Sequence, residues 1–219
     1  MNEKISENTY TLHNQVEIPC VGFGTWQVPD GETAANAVMH AIEAGYTHID
    51  TAVVYHNEIG VGAGIRMSGA AREKLFVTSK LWNDVRGYDE TLKEFGNSLK
   101  RLNMDYLDLF LIHWPRPIAF RDNYEEVNRE TWRAFEHLLN EGYVRAIGVS
   151  NFLPKHLKTS VYKGYKQDKI EMRGDRAEMS DFPLYLNTVA GGLDRRDQTI
   201  GGFSFVVKIY AVPVIEIIG

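Results

Sequence analysis

Asp50, Tyr55, Lys80 and His113 are the side chains of this sequence whose types together could move a proton and polarise a carbonyl group. A tyrosine near its reference pKa of about 10 is a weak acid at neutral pH. An ammonium beside it stabilises the phenolate, so Lys80 would make Tyr55 a better proton donor. Asp50 would hold and orient Lys80 as a charge-paired partner, and His113 could donate a hydrogen bond to a carbonyl oxygen. A proton donor beside a polarised carbonyl completes half of a reduction, and the hydride has to come from a nicotinamide. Alone, each residue has an ordinary explanation as a turn former, a solvated cation, a packed ring or a core histidine. Their meaning depends on the elements that position them.

Those elements can be read from hydrophobic period and turn chemistry. Residues 9–12 (TYTL) and 16–19 (VEIP) flank a turn-like His13-Asn14-Gln15 and predict a hairpin. Residues 20–23 predict a short buried strand ending at Gly24. Asp30 is placed to cap a helix whose apolar side carries Ala34, Ala37, Val38, Ala41 and Ile42, with Gly45 closing it. A strand over 46–52 follows, then a weaker helix over 57–67 whose three glycines disfavour it. A strand over 76–80, a helical stripe of Leu92, Phe95, Leu99 and Leu102, and a strand over 106–113 come next. A loop over 115–126 leads to a helix with Trp132, Phe135, Leu138 and Leu139 inside; Gly142 ends it, and 146–150 predicts a further strand.

Alternating helices and apolar strands imply right-handed βαβ units and a parallel sheet covered by helices. Two closures are open: a doubly wound sheet or a β/α barrel. The first strand–helix junction, GFGTWQVPDG, fits a dinucleotide fingerprint poorly, because the third glycine is missing at its spacing. On a barrel, by contrast, strand ends at the C-terminal face carry the active site. Asp50 and Tyr55 lie at and just beyond the end of one strand, Lys80 and His113 close the next two, and Ser150-Asn151 closes another, so all reach one mouth.

Composition is that of an ordinary globular chain of 219 residues, 44% hydrophobic and 24% charged. A net charge of -5 without basic blocks argues against a nucleic-acid partner. No apolar run reaches the roughly 18 residues needed to span a bilayer, and the N-terminus lacks a signal-peptide core. A cytoplasmic protein is expected. The single cysteine, Cys20, permits no internal disulfide and reads as a small buried hydrophobe in a reducing compartment. No metal site is expected.

The stretches GFGTW, HIDTAVVYHNE, VTSKLW, DYLDLFLIHWP and RAIGVSNF, in that order over about residues 9–157, resemble the successive signature segments of the aldo-keto reductase family. Microbial reductases of small aldehydes, glyoxals and diketo-gluconates are the subfamily most similar. The resemblance implies an α/β fold of the (β/α)8 TIM-barrel type with a bottom-plugging hairpin. It also implies NADPH as cofactor, a small carbonyl substrate and a monomeric state. It maps the catalytic group onto Asp50, Tyr55, Lys80 and His113. Cofactor contacts map onto Gly24, Thr25, Asp50, Ser150 and Asn151, and the substrate pocket onto Trp26, Trp82, His113 and Trp114.

The resemblance ends near Lys158. The polar stretch 158–181 has no persistent apolar stripe, and neither the family's Lys-Ser segment nor its adenosine-phosphate arginine follows. Residues 182–193 and 203–218 are apolar again and predict a strand or two, with Pro213 restricting pairing. The expectation is therefore an incomplete barrel, residues 1–157 with about five βα units and a hairpin, joined to a divergent tail, 158–219. A reading-frame shift near Lys158 would explain the change in character. An open barrel exposes sheet edges and allows self-association. Two functions follow: an NADPH-dependent aldehyde or ketone reductase with Tyr55 as proton donor, or a catalytically silent barrel serving as a binding or assembly module.

Overall fold

The computed structural model describes residues 9–12, 14–153 and 156, and the backbone of the later strands over 184–189, 199–200, 203–204 and 207–213. The expected tail boundary and the polar stretch 158–181 lie outside the described residues.

The chain begins with the expected hairpin, β1 (Thr9–Thr11) against β2 (Glu17–Pro19), antiparallel with Tyr10 opposite Ile18. The repeating unit then starts. Strand β3 (Val21–Gly24), helix α1 (Glu32–Glu43), β4 (His48–Asp50), α2 (Glu58–Met67) and β5 (Phe76–Leu81) follow in order. Helix α3 (Tyr88–Leu102), β6 (Leu107–Ile112), α4 (Tyr124–Asn140) and β7 (Val144–Val149) complete the series. The strands β3-β4-β5-β6-β7 are parallel neighbours in sequence order, with no reversal. A doubly wound sheet would reverse at a switch point. This one keeps adding strands on the same side, as a barrel wall does, and leaves β7 at its edge among the described strands.

Strands β5 and β6 are buried at every position, which parallel strands covered on both faces require. On the outer face Val77, Leu81, Phe110 and Ile112 pack with Phe95 of α3 and Trp132 and Phe135 of α4. On the other face Phe76, Leu109, Leu111 and Ala146 pack against Leu12 and Ile18 of the hairpin. The hairpin thus covers the sheet at the end where the strands begin, held in part by Asn14 Nδ2 donating to the Arg145 carbonyl (2.8 Å). The described portion of the tail supplies β8 (Leu184–Val189), β9 (Thr199–Ile200), β10 (Phe203–Ser204) and β11 (Val207–Pro213). Strand β8 pairs parallel with β3, and β11 pairs antiparallel with β8. Pro213 falls at the end of this outer strand, where a missing N–H is tolerated.

Three local expectations change. Helix α2 forms despite its glycines because they let other backbone approach. A Cβ at Gly62 would lie 2.1 Å from the Leu102 carbonyl oxygen, and one at Gly64 would lie 2.4 Å from that of Ala35. Asp30 does not cap α1, whose N-cap is Gly31 without a side-chain bond. Its carboxylate accepts instead from the Gly60 N–H of α2 (2.7 Å), tying the two helices together. Cys20 is half-buried rather than enclosed. No helix among the described residues is long and apolar enough to cross a membrane.

Candidate active site

The C-terminal ends of β3 to β7 converge as the strand ends predicted. Asp50 closes β4 and Lys80 lies one residue before the end of β5, both with side chains only 2% exposed. Lys80 Nζ donates to Asp50 Oδ1 at 2.6 Å and to the Thr51 carbonyl at 2.9 Å, and also bonds the Tyr55 side chain. Burial disfavours this ammonium, but Asp50 and Tyr55 outweigh burial and leave the Lys80 pKa above its ordinary value. It is a cation at neutral pH, anchored by Asp50 and the Thr51 carbonyl and bonded to one phenol.

Tyr55 ends a 3-10 turn, Val53–Tyr55, that leaves β4 through extended Ala52. The turn stops at His56, whose φ of 55° is left-handed. Asn57, fully buried, then gathers the loop. Its amide donates to the Thr25 and Val28 carbonyls (2.7 and 2.9 Å), and its oxygen accepts from the Thr51 hydroxyl (3.0 Å). Gly24 pairs in register with Asp50, and the Thr25 N–H donates to the Asp50 carbonyl at 2.9 Å. Gly24, Thr25, Asp50 and Tyr55 are therefore parts of one bonded layer.

His113 follows β6, and its N–H donates to the Leu81 carbonyl (3.2 Å). Its ring meets Tyr55 edge to face at 5.9 Å and Trp82 at 5.2 Å. Burial first, then the charges of Lys80 and Arg86, push its pKa from 6.5 down to about 3. The imidazole is neutral across the physiological range. Ser150 and Asn151 follow β7. Asn151, at φ 63°, donates from Nδ2 to the His113 carbonyl (2.8 Å) and to Ser150 Oγ (2.9 Å). The structure thus brings together Asp50, Tyr55, Lys80, His113 and Trp82, with Ser150 and Asn151 tied to the His113 backbone. Trp26 and Trp114 are partly exposed, at 37% and 46%, on the loops beside this group.

Residues 20–173 match the family model of the aldo/keto reductases. The chain belongs to the aldo/keto reductase family. It is 52% identical over 159 residues to a 9,11-endoperoxide prostaglandin H2 reductase of Trypanosoma cruzi, covering 73% of this chain and 53% of that protein. It is also 52% identical over 152 residues to a glyoxal reductase of Bacillus subtilis, covering 69% of this chain and 52% of the relative. The chain spans about half the length of the curated relatives it matches. Among solved structures, an aldo/keto reductase of Brucella melitensis superposes with a TM-score of 0.64 at 50% identity, covering 69% of this chain and 56% of that one. A Bombyx mori aldo-keto reductase in complex with NADP gives 0.64 at 37% identity, covering 74% and 56%. These neighbours place the five parallel strands in a TIM-type barrel wall.

Three residues of this aldo/keto reductase site carry structure that sequence reasoning assigned to none of them. Asn57 and Glu58 sit inside the quoted HIDTAVVYHNE stretch but look like helix-start polar residues. Glu58 is buried and takes Ser79 Oγ at 2.7 Å, Ser98 Oγ, and Arg101 Nε at 2.7 Å, fixing α2 against the strand that bears Lys80. Arg86 looks like a solvated loop cation and is instead 6% exposed.

Proposed function

We propose that the chain performs NADPH-dependent reduction of small aldehydes or ketones, with Tyr55 as the proton donor. The observation that carries this reading is the buried Lys80 ammonium, whose bonds go to Asp50, the Thr51 carbonyl and the Tyr55 phenol. Tyr55 O–H transfers its proton to the carbonyl oxygen as that oxygen gains charge. The phenolate left behind is stabilised by Lys80, whose own charge is anchored by Asp50. His113, neutral at working pH, donates to the same oxygen and holds the carbonyl face. Its Nδ1 is buried with no partner among the described atoms. The proton therefore belongs on Nε2, because an unpaired buried N–H is the rarer and costlier defect.

The donor set fits the nicotinamide end of the cofactor. A carboxamide needs both a donor and an acceptor, and the Ser150 hydroxyl and Asn151 amide offer both. Gly24 and Thr25 would lie along its ribose, and Asp50 within the same layer. When bound, the nicotinamide supplies the hydride. Half-exposed Trp26, Trp82 and Trp114 would line an apolar pocket for a small carbonyl compound, in keeping with the glyoxal reductase named among the relatives.

Fluorescence titration with NADPH and turnover of methylglyoxal test the reading together. Cofactor binding is expected, and Tyr55→Phe is expected to lower turnover by about 100- to 10,000-fold, the usual range for a general acid. The absence of binding at millimolar NADPH sinks the proposal. A second reading, a binding module without turnover, is favoured by residues 158–219, which carry neither the family's Lys-Ser segment nor its adenosine-phosphate arginine. NADPH binding with no Tyr55-dependent turnover would select it.

A further inference from the structure

Arg86 lies in the loop between β5 and α3, and it is the buried arginine that the proton-transfer group does not use. Its guanidinium donates from Nη1 to the Trp82 and Val85 carbonyls at 2.7 and 2.6 Å, and from Nη2 to the Trp114 carbonyl at 2.8 Å. The contrast with other arginines is direct. Arg72, Arg101, Arg133 and Arg145 each reach a carboxylate within 2.7–3.0 Å. No such ion pair to Arg86 is found among the described residues, and Asp84 acts on it only from a distance. A cation enclosed this way against its own desolvation must be held by the carbonyls it joins, since burial without hydrogen-bond partners strongly disfavours a charge. Burial brings even this guanidinium down to about 10.

Two of the three carbonyls it joins belong to pocket tryptophans on different βα loops, and the third, that of Val85, lies on the Trp82 loop. Helix α4 holds the same two loops from outside. Gly87 N–H donates to Thr131 Oγ1 (2.9 Å), and Asn128 Nδ2 donates to the Pro115 carbonyl (2.7 Å). The loop after β5 and the loop after β6 are thus stapled by one fork of donors, with His113 packed edge-on against Trp82 between them.

We propose that Arg86 is a positioning residue that locks the Trp82 and Trp114 loops into one wall of the carbonyl pocket and so sets the size of compound it accepts. This rests on the reductase reading for its consequence in turnover, but not for the clamp itself. The groups facing His113 are Tyr55, Trp82, Lys80 with its partner Asp50, and Arg86 with Asp84 behind it. Removing the Arg86 charge therefore has a second signature, a more easily protonated His113.

The test uses the full chain labelled with 5-fluorotryptophan, with Arg86→Lys, which keeps the charge without the fork, and Arg86→Gln, which removes the charge. The fluorine signals of Trp82 and Trp114 are expected to shift or broaden in both variants. That of Trp132, buried in α4, is expected to stay fixed and to report an intact fold. The His113 imidazole is expected to titrate higher in Arg86→Gln and unchanged in Arg86→Lys. With methylglyoxal, both variants are expected to raise KM by about tenfold with kcat within about twofold, and to narrow the preference over a bulky aromatic aldehyde by a similar factor. Unmoved Trp82 and Trp114 signals in both variants overturn the clamp, whether or not the wild type turns over. A fall in melting temperature with the size preference intact overturns the specificity role. Guanidinium NMR of the unmutated chain decides if neither variant folds: restricted Nη rotation at Arg86 supports the clamp, and free rotation ends it.

Discussion

Two buried carboxylates lie at opposite ends of this sheet, and their partners differ in kind. Asp108, near the start of β6, accepts from Arg145 at Oδ1 (2.7 Å) and from Arg72 (2.7 Å) and the Val77 N–H (2.9 Å) at Oδ2. Both guanidinia reach the surface, and Arg72 also lies over the Tyr106 ring at 4.0 Å. That carboxylate is saturated, and its cations keep contact with water. At the other end, Asp50 holds a lysine with almost no exposure, whose remaining bonds go to the Thr51 carbonyl and to a phenol. A buried charge pair by itself marks neither structure nor catalysis. What separates the two is whether the buried cation still points at a group that can exchange a proton.

Breaking the mouth pair is expected to have the largest effect. Lys80→Met strands Asp50 in the interior, and removing one partner of a buried pair costs about 3–5 kcal/mol. Chemical denaturation should show that loss, and turnover should fall by at least about 100-fold. A stable variant with near-normal turnover would erase the distinction between the two ends. Asp108→Ala should cost less, about 1–3 kcal/mol, chiefly for the Val77 N–H left unpaired, because Arg72 and Arg145 can turn to water. Its turnover is expected to stay within about twofold of wild type, measured under the same conditions. A large loss of turnover there would mean that the lower end also shapes the site.

This division was only half visible in the sequence. Asp50, Lys80 and His113 stand at or just past the ends of apolar runs, where a period change and a polar residue coincide, so strand ends could be located without coordinates. Asp108 sits inside such a run (DYLDLFLIH) and shows no signal, because its partners Arg72 and Arg145 come from distant positions. The same reason hid Arg86 and Asn57. A polar loop residue reads as solvated until the helices and loops that enclose it are in place. Asp30 misled in the opposite direction, since its spacing suits a cap while its carboxylate reaches across to Gly60. The glycines of α2 weakened a helix by propensity that close approach to Ala35 and Leu102 makes necessary. Local period is legible in one dimension, whereas burial of a polar group depends on which elements meet.

The two ends also each bury a neutral histidine, which gives the smallest but most separable effect. His48, at the start of β4, is fully enclosed, with Nε2 3.0 Å from Thr78 Oγ1, and its pKa falls from 6.5 to about 4, mainly through burial. His113, at the mouth, falls to about 3 for the reasons given above. Both folded-state values lie below the unfolded one, so the unfolded chain binds more protons once pH drops through the ordinary histidine range. Stability contributed by the neutral rings is full above that range and is lost as pH falls toward the folded values. Each ring should add a slope of up to about 1.4 kcal/mol per pH unit. The difference in unfolding free energy between wild type and His48→Gln, measured from pH 7 to 4, isolates one of them. That difference should shrink steadily as pH falls and level off near pH 4, while the His113 contribution continues below it. A difference that does not change with pH would mean that folded His48 titrates as it does in the unfolded chain, and one that grows as pH falls would mean a ring held protonated in the fold. The buried charge at the mouth would then have an unsuspected counterpart at the base.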